Sequence, residues 1–204
     1  MNRLCLMTVV RSEACLASIA VPSAFVGVVW LGFTLRGEQP DPMAMFLLLF
    51  VVAAWVACFV SFALSRSSSA TGSLTDVVLV RSGVVSVVRD VVILGMLCGL
   101  VSSVPTSLLL DNLDGSGLDL TFLLFTIEVM FVGAASGMWW GLRGGSNEDL
   151  GSAVVQTLSI IAASIFVSIL LGQELWLWVG LALGIVVTFV LSIRRLQWSC
   201  ASGR

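Results

Sequence analysis

The chain alternates long apolar runs with short polar breaks, and six of the runs reach the length of a bilayer-crossing helix. They cover 14–35, 43–64, 91–110, 119–142, 152–171 and 174–193. Turn-forming and charged residues separate them: Gly37-Glu38-Gln39-Pro40-Asp41-Pro42, the Ser-rich stretch Ser65 to Ser73, Asp111 to Asp119, Gly144 to Asp149, and Gly172-Gln173-Glu174. The last break is so short that the fifth and sixth spans must form a tight helical hairpin. The pattern predicts an all-α, polytopic membrane protein whose residues 1–204 make one membrane domain of six transmembrane helices.

One apolar segment, 76–90, is too short and too charged to cross a bilayer. Ser82, Ser86 and Arg89 recur at helical spacing, while Val77, Val80, Val84, Val87 and Val88 gather on the other side. The expectation is an amphipathic helix on the inner face, between spans two and three. It reads equally well as an interfacial helix lying in the headgroups and as a coupling helix gripped by a soluble motor protein.

Charge sets the expected orientation. With the N-terminus inside, Arg3, Arg11, Arg66, Arg81, Arg89, Arg143, Arg194, Arg195 and Arg204 all fall on the inner side, and Arg36 alone falls outside. The outer breaks instead carry Glu38, Asp41, Asp111, Asp114, Asp119 and Glu174. Trp30, Trp176 and Trp178 fall at the outer interface and Trp139, Trp140 and Trp198 at the inner one, so aromatic belts account for all six. The first apolar run is interrupted by Glu13 and followed by no cleavage site, so it is read as the start of span one rather than as a targeting peptide.

Composition sharpens this picture. Of 204 residues 58% are hydrophobic and 11% charged, and the mean hydropathy is +1.09. Too few charges are present to clothe a water-facing surface. A net charge of -2 offers no basic face to phosphates, so nucleic acid is not an expected partner. All ten basic residues are Arg, and His is absent. Without Lys there is no Walker A loop and no Schiff base; without His there is no His-ligated haem, no His-based triad and no usual zinc or copper site. Hence the chain is not expected to be an enzyme or to bind a metal. Cys5, Cys15, Cys58, Cys98 and Cys200 form no C-x-x-C pair, and Cys58 and Cys98 sit in apolar runs as small hydrophobes. The lack of Lys, Tyr and His and the scarcity of Asn suggest a coding strand poor in A, a skew common in organelle genomes.

Small residues mark helix contacts. Gly133, Gly137 and Gly141 follow one another at four-residue steps in span four, as do Gly95 and Gly99 in span three and Gly180 and Gly184 in span six. Glu128, near the middle of span four, does not fit a packing account. A carboxylate facing lipid there costs roughly 2.5–3.5 kcal/mol on insertion scales. It must be protonated, paired, or turned toward a cavity or a partner. Asp111, Asp114 and Asp119 read as a solvated loop, and Glu148 and Asp149 as favourable charges at the start of the fifth helix.

Two spans, an inner amphipathic helix and four further spans form a plan similar to that of type 2 ABC exporter permeases. Within that group the chain resembles the haem exporter B (CcmB) family of cytochrome c maturation, over nearly its whole length. Trp55, in Ala54-Trp55-Val56-Ala57, is similar to the family's Trp early in the second span. Gly72 and Leu74 match the Gly and Leu of a D-G-T-L-E segment that opens the coupling region, and Ser82-Gly83 falls where plant-like members have Leu-Ser-Gly. Pro105, the turn Asp114-Gly115-Ser116-Gly117, the run Gly141-Leu142-Arg143-Gly144-Gly145 and the pair Glu174 and Trp176 fall at the family's Pro, Asp-x-Ser-Gly, Gly-Leu-Arg-Arg-Gly-Gly and Glu-Trp. Departures are Thr71 and Thr75 in place of the acids of D-G-T-L-E, Ala162 and Ala163 where a Pro is usual, and Glu128, which has no counterpart.

The resemblance implies a permease subunit without an active site of its own. It would couple ATP hydrolysis by a partner ABC ATPase to haem delivery, or to release of a haem-loaded chaperone. Haem would be held by a haem-handling membrane subunit and then by the chaperone, with no cofactor bound directly by this chain. The segment gripped by the ATPase would involve Gly72, Leu74, Asp76, Val80, Arg81, Val84 and Arg89. Its setting would be an inner membrane, the mitochondrial one before a bacterial plasma membrane, with both termini on the matrix or cytoplasmic side. Two other readings stand beside it. One is a permease of another small-molecule or polysaccharide ABC exporter. The other is a structural subunit of a respiratory complex, because Glu128-Val129-Met130-Phe131-Val132-Gly133-Ala134 resembles the third span of the NADH dehydrogenase chain 6 family. That motif includes a Tyr and lies earlier in its chain.

Overall fold

The computed structural model describes residues 13–37, 41–70, 83–114, 120–143 and 147–201, and every regular element among them is an α-helix. α1 spans Glu13–Arg36, α2 Pro42–Ala70, α3 Val84–Asp114, α4 Leu120–Arg143, α5 Asn147–Leu171 and α6 Leu175–Ala201. Four carry stretches long and apolar enough to cross a membrane: Val84–Ser103, Leu123–Arg143, Glu148–Leu171 and Leu175–Trp198. The corresponding described stretches of α1 and α2, Ala24–Arg36 and Phe50–Arg66, are shorter. The six-helix order agrees with the apolar pattern of the sequence.

Helix ends differ from the expected spans, and the reasons are local. α2 continues through Arg66 to Ala70 rather than stopping at 64. Ser65 is buried and donates its hydroxyl to the Ser61 carbonyl at 2.7 Å, so a serine expected to break the helix is absorbed by it. α3 begins at Val84, immediately after Gly83, whose φ of +74° takes the left-handed conformation that a glycine tolerates. The Val87 amide then donates to the Gly83 carbonyl at 3.3 Å, closing the first turn. Residues 84–90, expected as the end of a separate amphipathic helix, are therefore the opening turns of α3; residues 76–82 lie outside the described residues. At its other end α3 runs on to Asp114, so Asp111 and Asp114 belong to its last turn rather than to a loop.

α2 is the centre of the molecule. A Cβ built on Gly133 would come within 2.5 Å of the Ala54 carbonyl oxygen, one on Gly137 would strike that of Cys58, and one on Gly141 would come within 2.6 Å of that of Phe62. The two sets of three advance together in steps of four, so α2 and α4 run parallel with their backbones in contact. On its other side α2 meets α3 in the antiparallel sense: a Cβ on Gly99 would face the Ala53 carbonyl at 3.0 Å, and one on Gly95 the Ala57 carbonyl at 2.9 Å. Side chains this small let helices approach closely where lipid supplies no hydrophobic drive for association. Around the seam lie Ala53, Ala57, Val88, Val92, Met96, Met130, Ala134 and Met138, with Leu196 of α6 closing one side.

The last two helices form the expected hairpin. Gly172, at φ +62°, donates its amide to the Ile169 carbonyl, and Trp176 donates to that of Gln173. Gly184 packs on Ile160 and Gly180 on Ser164, so each step of four along α5 is matched by a step of four back along α6. This hairpin rests on α4, and much of its outer surface is apolar and exposed: Phe166, Ile169, Leu170, Leu183 and Val186 all point outward. α1 packs against α3 and α2, with Val26 buried.

Candidate functional site

The face of α4 turned away from α3 carries the features that pure packing does not explain. Near its end, Trp140 donates its indole N–H to Oε1 of Gln156 on α5 at 2.6 Å. The Gln156 amide nitrogen donates onward to the Thr188 hydroxyl on α6 at 3.5 Å, and Thr188 donates to the Gly184 carbonyl at 2.8 Å. A side-chain amide in an apolar span needs such partners because the bilayer core offers no water to replace them. The chain of donors thus ties three helices together at one level. Arg143, one turn further, places its guanidinium carbon 4.9 Å from the centre of the Trp140 ring.

One tryptophan of the expected belt thus also has a partner inside the protein. Trp140 is half-buried and bonded within the protein, whereas Trp30, Trp176 and Trp198 are exposed as interfacial residues would be. Trp178, placed in the outer belt by its sequence position, meets the edge of Phe125 with ring centres 6.3 Å apart. Gln156 and Thr188 were not singled out from the sequence. The available signal was a lone amide inside the apolar run of α5.

Higher on the same face, a crevice of about 270 Å³ separates α5 from α2 and α4. Phe125 and Val129 of α4 form its floor; Phe50, Val51, Trp55 and Cys58 of α2 form one wall, and Val154, Thr157, Leu158, Ile161 and Ile165 of α5 the other. Phe50 and Phe125 close one end edge to face, their centres 4.7 Å apart. Cys58, buried beside Thr157, lies toward the other end. The lining is almost wholly apolar and holds no acid–base pair. A second hollow, open and of about 640 Å³, lies below it against Trp140, Glu148, Gly151, Ser152 and Gln156.

Glu128 sits on α4 one helical turn before Val132, which is fully buried. The residue is half-buried, yet its Oε2 is sealed from solvent without a hydrogen-bond partner. A carboxyl group so placed can hold a proton or accept a hydrogen bond from an incoming donor. The Ser61 and Ser136 hydroxyls are likewise sealed without partners. Among the described residues no three His, Cys, Asp or Glu side chains converge to hold a metal ion.

The residues expected to meet an ATPase are only partly in view. Gly72, Leu74, Asp76, Val80 and Arg81 lie outside the described residues. Val84 is half-buried against the core cluster. Arg89 is exposed, paired to Asp90 at 3.0 Å and to the Ser86 hydroxyl at 3.3 Å. The α3 start shares an end of the molecule with the finish of α4, because α3 is antiparallel and α4 parallel to α2. Glu128 is fifteen residues before Arg143, hence about 22 Å up α4 at 1.5 Å per residue. The structure therefore does not bring Glu128 together with Val84 and Arg89, while Gly133, Gly137 and Gly141 meet α2. Compared with protein-family models, curated proteins and solved structures, the chain matches none.

Proposed function

We propose that the chain is the membrane permease subunit of an ABC complex of cytochrome c maturation, coupling a partner's ATP hydrolysis to haem delivery or to release of the haem-loaded chaperone. The observation that carries this reading is the ordered set of residue matches from Trp55 to Trp176 over nearly the whole chain. The six-helix order accommodates it, with a connection between α2 and α3 long enough for a coupling element and a close hairpin at the end. All six helices cross an inner membrane, mitochondrial by the composition skew, with the arginine-rich ends on the matrix side.

In this reading the chain's work is mechanical. An ATPase gripping residues 76–90 pulls on the ends of α2 and α3 together, since that segment joins them. The glycine contacts of α2 with both α3 and α4 make the three helices move as one body. Trp140, Gln156 and Thr188 then pass the displacement to the α5–α6 hairpin. Haem stays with partner subunits throughout.

The test is a mild-detergent pull-down of the chain, with mass spectrometry and a haem absorption spectrum of the eluate. An ABC ATPase together with a haem protein is the expected result. An ATPase without haem would point to a permease for another small-molecule cargo. Respiratory-chain subunits without an ATPase would overturn the proposal and make the chain a structural subunit of a respiratory complex.

A further inference from the structure

We propose that the crevice between α2, α4 and α5 is a binding site for one acyl chain of a membrane phospholipid. This inference rests on the chain lying in a bilayer and not on any ATPase partner. Three observations converge on that occupant. The first is where the crevice opens. Its floor, formed by Val129, and its inner end, formed by Cys58, are each 1% exposed, while the side chains at its rim, Val51, Trp55, Leu158 and Ile165, are 40–52% exposed. The mouth therefore lies on the sides of two apolar helices, where the surrounding medium is hydrocarbon and not water.

The second observation is shape. The α2 wall runs from Phe50 to Cys58 and the α5 wall from Val154 to Ile165, so the slot is about 12 Å long on one side and about 16 Å on the other at 1.5 Å per residue. At the ~30 Å³ that a water or a similar-sized methylene occupies, the 270 Å³ crevice holds about nine such groups in a row. An extended hydrocarbon tail of that many carbons has nearly the length of the α2 wall. The third is chemistry: apart from the indole of Trp55 at the rim, the lining carries polar side-chain groups only at the Cys58 and Thr157 end, and the Thr157 hydroxyl donates to the Ala153 carbonyl at 2.8 Å. A polar ligand would lose its hydration without replacement there. A tail arriving from the bilayer loses nothing, and it restores the dispersion contacts that an empty slot would forfeit.

The experiment uses the full chain in phosphatidylcholine vesicles containing a phosphatidylcholine whose acyl chain bears a diazirine near its midpoint. After irradiation, labelled positions are mapped by peptide mass spectrometry. Labelling of Val129 and Cys58, which bulk lipid on the protein's outer surface does not touch, is the expected result. Label confined to exposed positions such as Val186 and Leu183 would overturn the proposal, whether the crevice stays empty or is filled by a partner or a second copy. Val154→Phe, which narrows one wall, is expected to cut labelling of Cys58 about tenfold and leave labelling of Val186 unchanged. Undiminished labelling of Cys58 in that variant would place the tail elsewhere. The wild-type map stands by itself should the variant fail to fold.

Discussion

What a single methyl group would strike separates the glycines of this chain into two kinds. At Gly137 an added Cβ meets the Cys58 carbonyl, a backbone atom that can yield only if α2 and α4 move apart. Gly137→Ala is therefore expected to destabilise the fold by about 1–3 kcal/mol, measured as a shift in the unfolding midpoint in mixed micelles. Gly151 on α5 has nothing within 4 Å of its Cβ direction. Gly151→Ala is expected to be neutral or stabilising, by up to about 1 kcal/mol; equal losses at the two sites would refute the seam. Gln156→Leu leaves the Trp140 N–H without its acceptor and is expected to cost about 0.6–1.7 kcal/mol. In the Trp140→Phe background the same change should cost less, because no indole N–H is then left without an acceptor. Glu128 makes the opposite forecast: Glu128→Gln removes an ionisable group whose sealed oxygen has no partner, so membrane insertion should improve or hold. A fall in stability would reveal a counter-group. The glycine contacts were legible in the sequence because a repeat of four is itself a statement about one helix face. The Trp140 to Gln156 to Thr188 chain was not, since its members stand 16 and 32 residues apart and no local pattern links them.

At the scale of elements, hydropathy located all six helices but misplaced several ends. Hydropathy reports where polarity begins, whereas a helix stops where its backbone bonds stop. Ser65 bonds back into its own helix, and Asp111 and Asp114 simply continue α3, so polar residues did not end either element. For residues 84–90 the amphipathic period was read correctly as helical, and the error was in its ownership: Val88, Val91 and Val92 make one continuous buried strip of α3. That changes how the coupling role proposed for residues 76–90 should be probed. Val84 packs against the core, so an acid there would disturb α3 itself. Val80→Asp is the cleaner variant. It is expected to reduce ATPase co-purification at least about tenfold with insertion unaffected, and undiminished association would remove this segment from the coupling role. Orientation is testable in the same way. A cysteine at Ser116 should react with a reagent confined to the outer side and one at Ser68 should not; the reverse pattern would invert the topology.

For the whole molecule, three helices closed on a glycine seam and a hairpin packed on α4, with Trp140, Gln156 and Thr188 bonded across it, are two bodies of unequal cohesion. The seam of α2 with α3 and α4 involves backbone against backbone, while a crevice lies between α5 and its neighbours. This division bears on how the chain enters a membrane during synthesis. The seam has all its parts once Arg143 has left the ribosome, so α2, α3 and α4 can settle before the hairpin is made. α5 released alone would present Gln156 to hydrocarbon, and α6 alone would present Thr188. With only Gly172, Gln173 and Glu174 between them, the two helices reach the insertion machinery almost together. They are best delivered to lipid as a pair whose amide and hydroxyl already shield each other, with Trp140 waiting on α4 to receive them.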